Sequence, residues 1–377
     1  MKLRVILISL VAALLPSAVL AHGDHSKDKG RSQQIERSVA ADPAVTVSVC
    51  VMSGNINVQG WDKHEVRARS SQIAQAELKR ADRLKLSGPA TKLEVIMVDK
   101  GESGSETGNC QAAGDVDLMV PRGASVYVQT GEGSISISEV ASIYARSQIG
   151  DIEIDRATRS VEAVSFSGDV SLKDSQGRVS LRSVGGVVDV AHVGPSEAGD
   201  CFEAITISGE VELDHVAHTQ TTVKTGNGNV HFAGPLVHGG IYAFNTTSGD
   251  VTLSLPSDAS FRLNARVAAD KEITSDFPLT MTSVTSMTTL PRTPAPEIAA
   301  SPKAPESPKK AEAIPETPAP AAEPTVVTIV QPKVKVKVNP VVVKPHYMSR
   351  RVIAVHGSGD SIINVASFSG TLHLEEN

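Results

Sequence analysis

The stretch Ser160-Val-Glu-Ala-Val-Ser-Phe-Ser-Gly-Asp-Val-Ser-Leu172 decides the fold. Apolar residues alternate with polar ones on both sides of Gly168, at Val161 and Ala163 before it and at Val170 and Leu172 after it. This alternation predicts two half-buried β-strands. The Ser and Gly residues between the two runs predict a bend. A single unit of strand, bend and strand cannot bury its apolar face by itself, so it needs similar neighbours on which to stack.

The same unit recurs along the chain. Apolar residues stand seven and five positions before a glycine and two and four after it, with a Ser or Thr three before it. The well-formed copies are centred on Gly133, Gly150, Gly168, Gly186, Gly209, Gly228, Gly249 and Gly370, and degenerate copies lie near Gly54, near Gly114 and through Leu263 to Ile273. The spacing predicts an all-β protein, a β-solenoid (β-helix) of about 18–21-residue coils. An antiparallel sandwich or barrel is the rival arrangement, but the nearly fixed length of the single-glycine unit favours the solenoid.

The N-terminal residues 1–21 have the pattern of a secretory signal peptide. Lys2 and Arg4 precede a short apolar run, and Ala18-Val-Leu-Ala21 resembles a cleavage site. We therefore expect an exported protein, either periplasmic or on the cell surface, with no transmembrane span after cleavage. Residues 22–41 are polar and without periodicity, which predicts a flexible leader before a solenoid body at 42–290.

A proline-rich segment interrupts the repeats at residues 291–345. Thirteen of the chain's 21 prolines lie there, mixed with Ala, Glu and Lys, and such a composition predicts a disordered insertion. Within it, Lys333 to Val338 alternates strictly and predicts an edge strand protected by charge. A last coil follows at 346–377.

Two further local features carry expectations about structure. The segment Ser71–Leu84 departs from the repeat and is rich in helix-favouring residues, so it predicts a short helix or a long loop. An oxidising compartment allows disulfides. Among Cys50, Cys110 and Cys201, the first two are the expected pair because both lie near the N-terminal end of the fold, with Cys201 left as a buried thiol.

No convergent catalytic set is evident, and we assign no catalytic, cofactor-binding or metal-binding residue. The repeated Ser and Thr residues occur in every well-formed copy, so we interpret them as hydrogen-bonding groups of the bend. Acidic residues recur directly after the glycine, at Asp151, Asp169, Glu210 and Asp250, where they either alternate with other residues or hold a cation. A polysaccharide-cleaving site would need paired carboxylates and aromatic residues, yet aromatic residues make up 3% of the chain.

The remaining candidates are histidines and a tryptophan. His22 and His25 could bind a metal ion weakly at a new N-terminus, but a solvated leader is the simpler interpretation. His215 and His218 are interpreted as surface residues, because no helix and no third ligand are indicated. Trp61 is expected to pack against the start of the solenoid.

The run Val51-Met-Ser-Gly-Asn-Ile-Asn-Val-Gln-Gly-Trp-Asp-Lys-His-Glu-Val66 resembles the opening of a bacterial adhesin-like family of unknown function. That family is related to head GIN domain autotransporter adhesins. Ser165-Phe-Ser-Gly-Asp-Val170 and Thr274-Ser-Asp-Phe-Pro-Leu279 are similar too. The resemblance spans Val45–Leu279 and Arg351–Glu375. It implies an envelope β-helix and implies no activity or site residues.

These observations predict a non-enzymatic envelope protein. Its repetitive surface would bind an envelope protein or a cell-wall or surface glycan. The net charge of −6 gives no sign of nucleic-acid binding. The alternatives are a polysaccharide-active β-helix enzyme and an accessory protein of envelope stress.

Overall fold

In the computed structural model the described residues are 35–70, 74–82, 88–99, 110, 112–288 and 348–377, and their regular structure is all β. The strands are β1 (Ile35–Ser53), β2 (Ile56–Trp61), β3 (Glu65–Ser70), β4 (Ala74–Arg80), β5 (Ala90–Asp99), β6 (Val116–Pro121), β7 (Ser125–Glu132), β8 (Ile135–Ser138), β9 (Ser142–Ile149), β10 (Ile152–Asp155), β11 (Ser160–Ser167), β12 (Val170–Lys173), β13 (Arg178–Ser183), β14 (Val188–Val193), β15 (Phe202–Ser208), β16 (Val211–Val216), β17 (Gln220–Asn227), β18 (Val230–Ala233), β19 (Ile241–Ser248), β20 (Val251–Leu255), β21 (Phe261–Ala268), β22 (Ile273–Ser275), β23 (Thr280–Thr288), β24 (Met348–His356), β25 (Ser361–Ser367) and β26 (Leu372–Glu376). The expected signal peptide and the proline-rich segment lie outside the described residues.

The predicted β-solenoid is confirmed. Each coil contributes one strand to sheet I and the next to sheet II, and equivalent strands of neighbouring coils pair in parallel. The order in sheet I is β4-β5-β1-β7-β9-β11-β13-β15-β17-β19-β25-β21-β24-β23, and the order in sheet II is β3-β6-β2-β8-β10-β12-β14-β16-β18-β20-β26-β22. Because the register is retained from coil to coil, side chains at equivalent positions form columns along the stack.

The core is the space between the two sheets. The alternating apolar residues of every coil point into it, for example Ile152 and Ile154 of β10, and they are almost fully buried. Towards the C-terminal end the column changes from aliphatic to aromatic side chains, with Phe202, Phe232 and Phe244 fully buried. The period-2 pattern of the sequence therefore identifies the core residues directly.

Both chain-terminal coils are intercalated rather than terminal in the stack. The coil of β1 and β2 lies between those of β5–β6 and β7–β8. At the other end β25 pairs with both β19 and β21, so the C-terminal coil is inserted before the coil of β21 and β22. The last coil in the sequence is therefore not the last coil in the stack.

Antiparallel strands are added to both sheets at one end of the stack and to sheet I at the other. At one end β4 pairs with β5 and β3 pairs with β6, while at the other β24 pairs with β21 and then with β23. Thr288 of β23 faces Met348 of β24, so the segment between them leaves and re-enters the fold at adjacent positions. The segment is thus inserted into the solenoid, as the sequence predicted. The antiparallel additions protect edges that would otherwise offer unpaired backbone groups.

Two local expectations were wrong. The described part of Ser71–Leu84 contains strand β4, not a helix, because Ala76 and Leu78 pack on the core and the backbone pairs with β5. The end of the supposed flexible leader, from Ile35, is the first part of β1 and pairs antiparallel with β3. There the carboxylate of Glu36 forms an ion pair with Arg69, with 2.8 Å between Oε2 of Glu36 and Nε of Arg69.

Candidate functional site

The outward face of sheet I carries an aromatic pair near the N-terminal end of the solenoid. Tyr127 of β7 and Tyr144 of β9 are partners in the parallel register, and their ring centroids are 5.8 Å apart. Tyr127 is 50% exposed. Both rings face solvent because their alternate neighbours, such as Val126 and Val128, face the core. Sequence reasoning missed this pair, although both residues stand six positions before a coil's glycine.

A shallow groove lies on each side of the tyrosine pair. The first groove has a volume of about 240 Å³ and runs past Ser48, Glu94 and Gln129 beside the two rings. The second, of about 210 Å³, runs along Ser125, Ser142, Ser160, Glu162 and Arg178 on the other side. The two grooves share both tyrosines, so they form one continuous surface with an aromatic centre and polar side chains beside it, which we call the tyrosine platform.

A disulfide anchors the end of the tyrosine platform. Cys50 and Cys110 are bonded, with their Cα atoms 4.9 Å apart, and both contribute to the first groove. This confirms the expected pairing. The bond ties residue 110 to β1 across 60 residues of sequence, which restricts the unfolded chain. Cys201 is a free thiol and is half-buried, whereas a buried one was expected.

The repeated hydroxyls form a ladder at the bend, as the sequence predicted. Each is buried and donates a hydrogen bond to the glycine carbonyl of the neighbouring coil. Examples are Ser183 to Gly168 at 3.2 Å and Thr225 to Gly209 at 3.1 Å. A hydroxyl that serves a backbone carbonyl in this way satisfies a buried acceptor. These groups therefore belong to the architecture of the bend.

The acidic residues after the glycine form a second ladder. Asp169 accepts a hydrogen bond from the backbone N–H of Val187 at 2.8 Å, and Asp151 accepts one from Asp169 at 2.9 Å. The side-chain oxygen of Asn229 likewise accepts a hydrogen bond from the backbone N–H of Asp250 at 3.1 Å. Each side chain thus bridges to the equivalent backbone position of the next coil. This bridging explains the recurrence of Asp and Asn without a bound cation.

Asp250 gives this ladder a measurable pH dependence. The backbone N–H and the hydroxyl of Thr371 hydrogen-bond its carboxylate and lower the pKa of Asp250 below its usual value. A lowered folded-state pKa contributes stability above the unfolded pKa, about 3.9, that is lost as pH falls through the folded pKa. We expect Asp250→Asn to reduce the free energy of unfolding at pH 7 and to lose this effect as pH falls below about 4. Urea unfolding from pH 7 to pH 3 measures it.

The matched control for this experiment is Asp258→Asn, which changes an exposed loop aspartate. Its curve should run parallel to that of the unchanged protein. A constant difference between Asp250→Asn and the unchanged protein at every pH would contradict the prediction.

The two histidines singled out from the sequence have different surroundings. His218 is fully buried, not on the surface, and its Nε2 lies 2.7 Å from the carbonyl oxygen of Gly177. Burial lowers the pKa of His218, so the ring is held neutral. His215 is half-exposed and stacks on His192, with ring centroids 5.2 Å apart. Sequence reasoning missed His192, yet both residues stand six positions after a coil's glycine.

Trp61 is the last residue of β2, where the chain turns towards β3. Its indole N–H donates to the carbonyl of Glu65 at 2.9 Å, and Lys63 and Arg67 approach the ring face within 4.7 and 4.8 Å. The ring is half-buried under these two cations. Its contacts therefore stabilise the turn that connects β2 to β3.

Comparison with known proteins gives a family for the central part of the chain. Residues 135–288 match the Toastrack DUF4097 family model, which confirms the resemblance to adhesin-like proteins of unknown function. No curated protein matches the sequence. Within the described residues, no helix is long and apolar enough to cross a membrane.

A comparison with solved structures found matches of low similarity, three of which follow. A candidate cell adhesion protein from Clostridium sporogenes is 10% identical over 92% of this chain and 100% of its own, with a TM-score of 0.16. A candidate adhesin from Parabacteroides distasonis is 11% identical over 60% of this chain and 92% of its own, with a TM-score of 0.32. Another candidate adhesin, from Parabacteroides merdae, is 10% identical over 60% and 91%, with a TM-score of 0.28.

Proposed function

Because residues 135–288 match the Toastrack DUF4097 family model, we propose that this is a non-enzymatic, exported adhesin-like protein that binds an envelope or surface polysaccharide on its tyrosine platform. The observation that carries the proposal is the outward-facing pair of Tyr127 and Tyr144 between two grooves, each of which has polar side chains in its lining. Export rests on the signal-peptide pattern of residues 1–21.

The chemistry of the platform suits a sugar chain. The faces of sugar rings carry C–H groups that pack on aromatic rings, while their hydroxyls need hydrogen-bond partners. Two tyrosines in register on adjacent strands offer consecutive rings, and Ser48, Gln129 and Ser142 supply polar groups beside them. The open, shallow form of both grooves favours a long chain that lies across the sheet.

The same geometry favours binding over cleavage. A glycosidase needs two carboxylates that face each other across the scissile bond. Glu94 is the carboxylate that lines the first groove and Glu162 the one that lines the second, with the tyrosines between them. Among the residues that the structure describes, each groove thus offers a single carboxylate, which can accept hydrogen bonds from sugar hydroxyls.

We expect the double variant Tyr127→Ala, Tyr144→Ala to lose about tenfold or more in affinity for its polysaccharide, since truncated aromatic anchors cost about 1.4 kcal/mol or more. Purified lipopolysaccharide, capsular polysaccharide and peptidoglycan sacculi are the probes. Titration calorimetry measures binding to the soluble two, and co-sedimentation measures binding to sacculi.

The matched control is Phe368→Ala, which also removes an exposed aromatic ring, 53% exposed at the bend, but leaves the tyrosine platform intact. Binding to none of the three probes, or equal affinity of the double variant and this control, would refute the proposal. Appearance of new reducing ends during incubation would instead support the polysaccharide-cleaving alternative.

A further inference from the structure

A column of left-handed residues marks the corner at the C-terminal end of five successive sheet II strands, β8, β10, β12, β14 and β16. Glu139, Arg156, Asp174, His192 and His215 have φ between 48° and 59° in successive coils. A left-handed backbone is normally left to glycine because a Cβ costs energy there. Here the corner carries charged or ionisable side chains instead, and the parallel register places each beside its equivalent in the next coil.

The charges of this column alternate until the two histidines meet. Glu139 forms ion pairs with Arg122 at 2.9 Å and with Arg156 at 3.3 Å. Asp174 then lies 3.9 Å from the Nδ1 atom of His192. At the next step the alternation ends, because His215 stacks on His192 with an angle of 18° between the rings. The column thus places two imidazole rings, each with ring nitrogens that can bind a metal ion, in direct contact.

Carboxylates complete a set of donors around the ring pair. The Oδ1 atom of Asp214 lies 2.6 Å from Nδ1 of His215. One donor atom each from His192, Asp214 and His215 can be chosen so that all three lie within 4.8 Å of one another. The nearby lysine is engaged elsewhere, since Lys173 pairs with Asp189 at 3.7 Å. Among the described residues, no lysine or arginine forms an ion pair with Asp174 or Asp214.

We propose that His192, His215 and Asp214 form a surface site for a divalent transition-metal ion of the zinc class. Two imidazoles and one carboxylate are a ligand set that zinc takes, with water in the fourth position. A tetrahedral site brings donors closer together than 4.8 Å, and the side chains can make this movement because they are 47 to 61% exposed. Asp174 lies beside His192 and would orient its ring or hold the metal-bound water.

Zinc titrated into the tag-free chain tests the site. We expect one saturable site in calorimetry, and Co²⁺ as a second probe should give the visible absorption of a tetrahedral complex. His192→Asn and His215→Asn should each weaken zinc binding about tenfold or more. Asparagine is chosen because it accepts a left-handed backbone, and unchanged circular dichroism and melting temperature without metal confirm that both variants fold.

His238→Asn is the matched control, since it changes another exposed histidine and should leave zinc affinity unchanged. The titrations are repeated with His22→Ala and His25→Ala combined, because the leader also contains two histidines. Three results would each overturn the proposal. The first is that zinc shows no saturable binding, and the second is that the folded His192→Asn or His215→Asn variant binds zinc as tightly as the unchanged chain. The third is that the leader variant loses zinc binding.

Discussion

Replacing Gly209 with alanine is expected to reduce the free energy of unfolding by about 3 kcal/mol or more, which is a large effect for one methyl group. A Cβ at this position would lie 2.0 Å from the carbonyl oxygen of Gly186 in the adjacent coil. The obstacle is backbone, which cannot rotate away as a side chain could. The same carbonyl accepts the hydrogen bond of Thr206 at 3.4 Å, so a displaced coil also leaves buried polar groups unsatisfied.

Alanine substitutions at two other glycines distinguish the cost of close packing from the cost of backbone strain. Gly194 has nothing within 4 Å of the added Cβ and no left-handed φ, whereas Gly199 has equally open space but a φ of +96°. We expect Gly194→Ala to change stability by about 0.5 kcal/mol or less. Gly199→Ala should cost about 1 to 2 kcal/mol. Denaturant unfolding of the three variants measures the order, and a Gly209→Ala value close to that of Gly194→Ala would show that the coils tolerate separation at the bend.

Much of the solenoid is predictable from the sequence because the repeat is encoded locally. Alternation with period 2 identifies the buried residues, and the glycine fixes the bend, so Ile152, Ile154 and Ser165 have the predicted environments. The pairing of Cys50 with Cys110 followed from a different argument, namely that both lie near one end of the fold. Each of these features depends on the pattern within a coil or on its approximate place along the chain.

The order of coils in space is not encoded in this way. Every coil has nearly the same edge, so periodicity alone does not show that β25 pairs with β21 as well as with β19. The strand β4 was missed for a related reason. Its alanines and leucine favour a helix in isolation, and the free edge of β5 overrides that preference.

The candidate sites are only partly predictable from the sequence. Tyr127 and Tyr144, like His192 and His215, occupy equivalent positions in adjacent coils, so superposing the repeats on their glycines would have paired them. Their significance depends on exposure, and the alternating pattern gives exposure only roughly. Sequence alone could therefore propose these pairs, while the grooves and the nearby Asp214 required the folded stack.

Replacing Val365 with aspartate is the sharpest test of the intercalated C-terminal coil. Val365 is 2% exposed, and its register partners are Phe244 on one side and Ala265 on the other. A buried, unpaired carboxylate there should cost about 4 kcal/mol or more. Because the coil lies inside the stack, the damage should spread in both directions, and amide hydrogen exchange should accelerate in β19, β21 and β24.

The adjacent variant Ala366→Asp provides the control, because residue 366 is half-buried and alternates to the outward face of the same strand. It should cost about 0.5 kcal/mol or less and leave hydrogen exchange in β21 unchanged. If Val365→Asp accelerated exchange in β19 and β25 alone, the coil of β21 and β22 would be independent of the C-terminal coil. The observed pairing of β21 with β25 predicts the opposite, since β21 and β24 reach the rest of sheet I through β25.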